Sequence, residues 1–221
     1  MSKAALVVAV VLGTTLSAQQ PYAPARYASG PLPTLPALAV GGGEAIVEVT
    51  VRSDGSVQAI RPLRSTPPFT QSLIDAVTAW RFTPAVEDAI GTDGKPAGPK
   101  PVNSKVIVAS LFRPPTLLTP TLGEPPATVG TASVDVAYPT AMRQPPYPPQ
   151  ALFGAVVMIE ALVDATGRPS EARVAVSSPA FDQAALDAAR LWSFQPARIN
   201  GRAAATYAYL VFGFPQPITR R

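Results

Sequence analysis

The chain contains a second copy of itself. Residues 35–85 align with residues 147–197 at a constant offset of 112, without a gap, and 17 of the 51 positions are identical. Shared residues include Gly55/Gly167, Arg61/Arg173, Phe69/Phe181, Asp75/Asp187, Trp80/Trp192, Phe82/Phe194 and Pro84/Pro196. Any local structure assigned to one copy must therefore suit the other. Self-similarity at a long fixed period commonly marks stacked solenoid units. Two copies of about 75 residues, separated by a proline-rich stretch, instead fit two small domains that can each fold.

Within each copy the hydrophobic period changes from two to 3.6. Ala45, Val47, Val49 and Val51 alternate with Glu44, Glu48, Thr50 and Arg52, which predicts a strand with one buried face. Ser53-Asp54-Gly55 is a hairpin turn leading to a second strand over residues 56–63. Thr66, as N-cap, and Pro67 open a helix whose apolar stripe is Phe69, Leu73, Ala76 and Trp80. A polar loop over 87–101 leads to a last strand over 102–112. The second copy repeats the plan. Val157, Ile159, Ala161 and Val163 point inward, Ala165-Thr166-Gly167 turns, and Ser178-Pro179 opens a helix with the stripe Phe181, Ala185, Ala188 and Trp192. The closing strand covers 203–214, after an Asn200-Gly201 turn. The predicted fold class is α+β: two small domains, each a three-stranded antiparallel sheet packed on one helix.

The expected organisation is a signal peptide over 1–18, an irregular lead-in over 19–34, a first domain over 35–112, a linker over 113–146, a second domain over 147–216 and a tail over 217–221. The linker holds eight prolines, so it should run semi-extended; a short strand over 134–137 would tie it to the second domain. Residues 1–18 pair Lys3 with an apolar run over 4–12 and a small polar end, the layout of a secretory signal cleaved after Ala18. The alternative is a retained membrane anchor. The run breaks at Gly13-Thr14-Thr15, short of the roughly 20 apolar residues that a spanning helix needs.

Composition narrows the function classes. The chain has no cysteine and no histidine, which removes disulfides, thiol chemistry, the commonest general base and the soft metal ligands. The 14 Asp and Glu residues form no D-x-D or E-x-x-E cluster. Gly41-Gly42-Gly43 precedes a strand and not a helix, so it is no phosphate loop. The expectation is a protein that is not an enzyme, with no cofactor and no metal. The net charge of +4 comes from scattered single arginines without interleaved aromatics, a solvated surface rather than a nucleic-acid platform.

In order along the chain, Tyr147-Pro148, Gly154, Gly167, Ser177-Ser178, Leu186-Asp187-Ala188-Ala189 and Trp192-Ser193-Phe194-Gln195-Pro196-Ala197 resemble the C-terminal domain of TonB family proteins. So do Leu35-Pro36, Gly55, Ile74-Asp75-Ala76-Val77 and Trp80-Arg81-Phe82-Thr83-Pro84-Ala85. The resemblance covers about two thirds of the chain, and its most specific part is the W-x-F-x-P-A ending. It implies a periplasmic location in Gram-negative bacteria and partners among outer-membrane TonB-dependent receptors. Their TonB-box segment would add as a strand to the domain's last strand, supporting energy-dependent transport. The partner-binding residues so implied are Thr206, Tyr207, Ala208, Tyr209, Leu210 and Val211, with Tyr147 and Pro148 nearby.

The chain departs from the family pattern in two ways. Full-length TonB proteins carry a membrane helix bearing a histidine that engages inner-membrane motor proteins, then a long spacer. Here there is no histidine, and about twenty residues separate the signal region from the first domain. A periplasmic scaffold that reuses the domain without transmitting force is therefore the alternative function, and an inner-membrane-anchored protein facing the periplasm the alternative location. Edge-to-edge pairing also makes a homodimer an expectation. Trp80, Phe82, Trp192 and Phe194 close the helical stripes and are assigned to the core. Asp75 and Asp187 either pair with Arg61 and Arg173 or face solvent. Tyr147-Pro148 has the competing reading of a plain turn, and Lys100, Pro101 and Lys105 read as protection of the first copy's edge.

Overall fold

A computed structural model of the chain describes residues 22–36, 41–90, 95–114 and 125–217. The expected signal segment and most of the tail lie outside the described residues. The first copy builds β1 (Tyr22–Ala23), β2 (Arg26–Ser29), β3 (Gly43–Val51), β4 (Val57–Ser65), α1 (Phe69–Thr78), β5 (Arg81–Thr83), β6 (Ala85–Ile90), β7 (Pro96–Val102) and β8 (Ser104–Phe112). The connection contributes β9 (Ala127–Thr128). The second copy builds β10 (Tyr138–Ala141), β11 (Ala155–Val163), β12 (Pro169–Val176), α2 (Pro179–Arg190), β13 (Ser193–Gln195), β14 (Ala197–Ile199), β15 (Arg202–Ala204) and β16 (Thr206–Phe214).

Both hairpins turn where the sequence places a glycine. Gly55 and Gly167 have φ of 81° and 82°, a region that residues with a Cβ rarely enter. A Cβ on either would also lie within 2.0 Å of the carbonyl oxygen of Phe82 or Phe194. These carbonyls belong to residues whose own N–H groups donate to Gly55 O and Gly167 O at 2.9 and 2.8 Å. The invariance of this glycine between the copies therefore comes from turn conformation and close approach together.

The helix of the second copy starts as expected, with Ser178 at the N-cap and Pro179 in the first turn. In the first copy the helix starts later, with Pro68 as N-cap and no side-chain cap. Thr66 is used elsewhere: its hydroxyl donates to Glu44 O at 2.9 Å. The polar stretch expected as a loop over 87–101 is instead the β6–β7 hairpin, the longer counterpart of β14–β15.

The two sheets are not separate. One seven-stranded sheet runs in the order β12-β11-β16-β8-β3-β4-β9. Its centre is a parallel pairing of the two closing strands, from Ala208 opposite Ile107 to Gly213 opposite Phe112; the other neighbours are antiparallel. This corrects the expectation of two independent three-stranded sheets. The cause lies in the closing strands themselves. Both are apolar at successive positions, Val106-Ile107-Val108-Ala109 and Leu210-Val211-Phe212, so both of their faces have to be covered.

Parallel pairing of equivalent strands relates the copies by a half-turn about an axis along the strands, which turns the sheet over. The two helices accordingly cover opposite faces. Val47, Val49 and Val108 pack with Leu73, Val77 and Trp80 of the first copy. Their neighbours Ile46, Ile107 and Ala109 pack with Phe181, Ala185 and Trp192 of the second. In return, Met158, Tyr209 and Val211 of the second copy join the first helix's core. Each unit thus buries the back of the other, and Ala45–Val49 and Val157–Ala161 are buried at every position.

The repeat also extends further toward the N-terminus than identity reveals. β2 pairs with β5 and β10 pairs with β13. Trp80 Nε1–H donates to Pro31 O at 2.7 Å and Trp192 Nε1–H to Arg143 O at 3.0 Å, each across 49 residues. The segments expected as irregular lead-in and as the end of the linker are therefore integral arms of the two units, and the short strand expected over 134–137 lies instead at Tyr138–Ala141, where it pairs with β13. Each arm then crosses to the back of the opposite unit.

Candidate functional site

The strand expected to receive a partner, β16, is paired on both sides from Ala208 to Gly213. β11 pairs with one side over nine residues, Ala155–Val163, and β8 with the other. Of the residues singled out there, Thr206, Ala208, Tyr209, Leu210 and Val211 are buried, and only Tyr207 is partly exposed. Strand addition at 208–211 is therefore not available in this fold, because the two closing strands pair with each other there. The first copy's closing strand is sealed by the same pairing.

Tyr209 is a structural anchor. Its hydroxyl accepts the N–H of Tyr27 at 2.6 Å, and its ring sits 5.8–6.1 Å from those of Phe82, Trp80 and Tyr27. Burial, reinforced by the nearby Glu160 carboxylate, pushes its phenol well above the ordinary range. Tyr207 lies under the Arg26 guanidinium, 5.4 Å from the ring centre. Tyr147 belongs to the other face. Its ring packs edge-on against Phe181 and Phe214 at 5.5 and 6.1 Å, and its hydroxyl donates to Phe153 O at 2.6 Å. Pro148 beside it is half-buried. Tyr147 and the Tyr207–Tyr209 pair are not brought together. Trp80, Phe82, Trp192 and Phe194 are at most 5 % exposed. Lys105, read as an edge guard, reaches Asp135 at 3.2 Å and Ser133 at 3.1 Å.

The sheet's real margins are β4 and β12, equivalent strands with different surroundings. The chain itself covers β4. In β9, Thr128 lies opposite Arg64 and Ala127 opposite Ser65, and Val129 N–H donates to Leu63 O at 2.9 Å. The segment continues past the edge: Arg61 Nη1 donates to Thr131 O at 2.7 Å. Ser133 then gives its N–H and its hydroxyl to Glu48, at 2.8 and 2.9 Å. Glu48 also accepts Arg61 Nη2 at 2.8 Å. Burial alone would raise this carboxyl, but the Arg61 guanidinium and the two Ser133 donors outweigh it and hold Glu48 below its ordinary value.

Along β12 no strand pairs with the outer side among the described residues. Beside it lies a cleft of about 400 Å³ whose walls include Arg26, Glu160, Arg173, Arg190 and Tyr207. Glu160 occupies the place of Glu48 and Arg173 that of Arg61. Arg173 Nε and Arg26 Nε both donate to Glu160 Oε1, at 2.7 and 2.9 Å. Glu160 is 2 % exposed, and its Oε2 accepts no hydrogen bond among the described residues. No counterpart of the Ser133 contact is found among the described residues.

Sequence reasoning overlooked these two glutamates, although the signal was present. Both copies keep them, and the hairpin turn places residue 48 opposite 61 and residue 160 opposite 173. Asp75 and Asp187 do not partner those arginines. They accept hydrogen bonds from Gln71 and Gln183 one turn earlier, at 2.7 and 2.9 Å. Among the described residues no three acidic side chains gather into a metal site, and no helix is long and apolar enough to cross a membrane.

Comparison with known families fits the second unit. Residues 143–214 match the family model of the Gram-negative bacterial TonB protein C-terminal. The TonB C-terminal match covers about a third of the chain. It starts at Arg143, the acceptor of the Trp192 indole, and ends at Phe214, the last residue of β16. β12, unpaired on its outer side among the described residues, therefore belongs to the part of the chain that carries the TonB C-terminal match. No curated protein matches the chain.

Proposed function

We propose that this protein is a periplasmic, TonB-like binding protein that takes up an extended peptide segment of outer-membrane receptors, of TonB-box type, in support of energy-dependent transport. The observation that carries this reading is the match of residues 143–214 to the TonB C-terminal family. Strand addition supplies affinity through main-chain hydrogen bonds and selectivity through flanking side chains. Because β8 and β16 enclose each other, the reading requires another margin, and β12 has no outer partner among the described residues. Catalysis plays no part in it. Inner-membrane motor proteins would be partners only if residues 1–18 stay in the membrane.

One observation favours a second reading, that of a periplasmic adaptor without energy transduction. The two units share one sheet and cover each other's backs, an arrangement suited to presenting a rigid surface. Binding of the full chain to TonB-box peptides, followed by calorimetry, tests the first part of the proposal: absence of binding at millimolar peptide defeats it. Uptake of a receptor-dependent substrate in cells lacking the protein, with and without a proton gradient, separates the two readings. An unchanged gradient dependence supports the adaptor.

A further inference from the structure

The protein contains a worked example of how its own sheet margin accepts a strand. Residues 127–133 run antiparallel along β4, donate Val129 N–H to Leu63 O, offer Thr131 O to Arg61, and close on the buried Glu48 with Ser133. The half-turn that relates the units places the same arrangement of hydrogen-bonding groups at β12. Ala175 stands where Leu63 does, Arg173 where Arg61 does, and Glu160 where Glu48 does. What differs is occupancy. β12 has no outer neighbour among the described residues, and Glu160 Oε2 has no donor although the residue is 2 % exposed.

We propose that the β12 edge, together with the Glu160–Arg173 pair, is a docking groove for an extended segment of a partner protein, bound antiparallel to β12 and ending in a serine or threonine that donates to Glu160 Oε2. This deepens the peptide-binding reading above by giving it a place and a ligand chemistry. Two arguments define the occupant. An unpaired strand edge offers alternating N–H and C=O groups that only another extended backbone matches. A buried carboxylate oxygen without a donor loses more than an ordinary hydrogen bond is worth, so a ligand that supplies an N–H or O–H there gains selectively. The groove places Arg26, Arg173 and Arg190 against Glu160 and Glu171, so it favours neutral or acidic segments over basic ones. Small residues before the hydroxyl, as in Ala127-Thr128-Val129-Gly130-Thr131-Ala132-Ser133, fit beside Ala172.

The probe is a synthetic peptide of residues 125–133, added to the full chain. The tethered copy keeps β4 occupied through its high effective concentration, which leaves β12 for the free peptide. The expected result is saturable binding with amide-exchange protection at residues 170–176. Replacing the peptide's final serine by alanine weakens binding several-fold. N-methylating its valine, the donor to Ala175, weakens it roughly tenfold. No binding, or protection outside 170–176, overturns the proposal. Protection, in the free chain, of those amides of 170–176 that do not pair with β11 also overturns it, with sedimentation telling a second copy from the chain's own residues as the occupant. A TonB-box peptide run in parallel separates the two claims. If it binds but protects another region, the groove fails and the functional reading stands. If only the 125–133 peptide binds, at β12, the groove stands and the receptor reading fails.

Discussion

Two equivalent margins of one sheet have met different fates. β4 carries a strand of its own chain, and the buried Glu48 behind it has donors on both oxygens. β12 carries nothing among the described residues, and Glu160 has both of its arginines on one oxygen. Arg61 and Arg173 are about half exposed in both places, so the ion pairs alone do not distinguish them. The strand and its serine do. One of the duplicated units has thus closed its edge with an internal ligand, while its twin has none among the described residues.

The comparison assumes that the units report on each other, and the harshest way to break it is to remove a core tryptophan. Trp80 and Trp192 lie under opposite faces of the shared sheet, each with its indole N–H satisfied by an arm. Trp80→Ala or Trp192→Ala should each cost about 3–5 kcal/mol. Because β8 and β16 are adjacent, both losses should appear in one cooperative transition. Denaturant unfolding followed by far-ultraviolet dichroism and by the remaining tryptophan's fluorescence checks this. Two separated transitions, each sensitive to its own tryptophan, would mean that the units fold independently and that the analogy between their edges is only formal.

A smaller loss sharpens the contrast between the glutamates. Glu48→Ala strips a partner from Arg61 and from both Ser133 donors. We expect roughly 2 kcal/mol, less than for a fully buried pair because Arg61 is half in water. Glu160→Ala should cost less, since no serine is stranded there. The pH dependence carries the same information. The folded Glu48 carboxyl lies below its ordinary 4.5, so it binds its proton less readily than in the unfolded chain. Its stabilisation is present above the ordinary value and is lost as the pH falls through the folded value. Glu48→Gln should therefore flatten the acid side of the stability profile. Equal acid limbs for Glu48→Gln and the parent protein would show that Ser133 and Arg61 do not hold the charge.

How much of this was legible beforehand follows from where the information sits. Turns, helices and the tryptophan-ended stripes were readable because each depends on a few adjacent residues and because the repeat states them twice. The fused sheet was harder to read. The alternation in residues 44–52 suggests a strand with one buried face, yet Ile46 breaks it, and Val106–Ala109 and Leu210–Phe212 are apolar on both faces, the signature of an interior strand. Read together, those runs exclude a solvent-exposed last strand and hence the receptor contact first assigned to 206–211. The arms over 22–29 and 134–141 were not recognisable by identity. Their role is carried by backbone pairing and by carbonyls such as Pro31 O and Arg143 O, which any residue supplies. That β12 lacks an outer neighbour among the described residues depends on what lies elsewhere in the chain, and no local pattern encodes that.

The mildest substitution tests the comparison most directly. Val129 is half-exposed, and its N–H is the nearer of two donors to Leu63 O, at 2.9 Å against 3.3 Å for Gly130 N–H. Val129→Pro removes that donor without touching either core, and should cost about 1 kcal/mol, the net worth of one hydrogen bond. Amide exchange along residues 57–65 should quicken while residues 170–176 stay as they were. The tethered strand keeps its other contacts, so the 125–133 peptide should reach a second site, protecting 57–65, only at concentrations approaching the tethered strand's effective concentration. A stoichiometry that stays at one, with the β4 edge demonstrably freed, would mean that the two margins differ in more than occupancy. The internal strand would then no longer serve as the template for what β12 accepts.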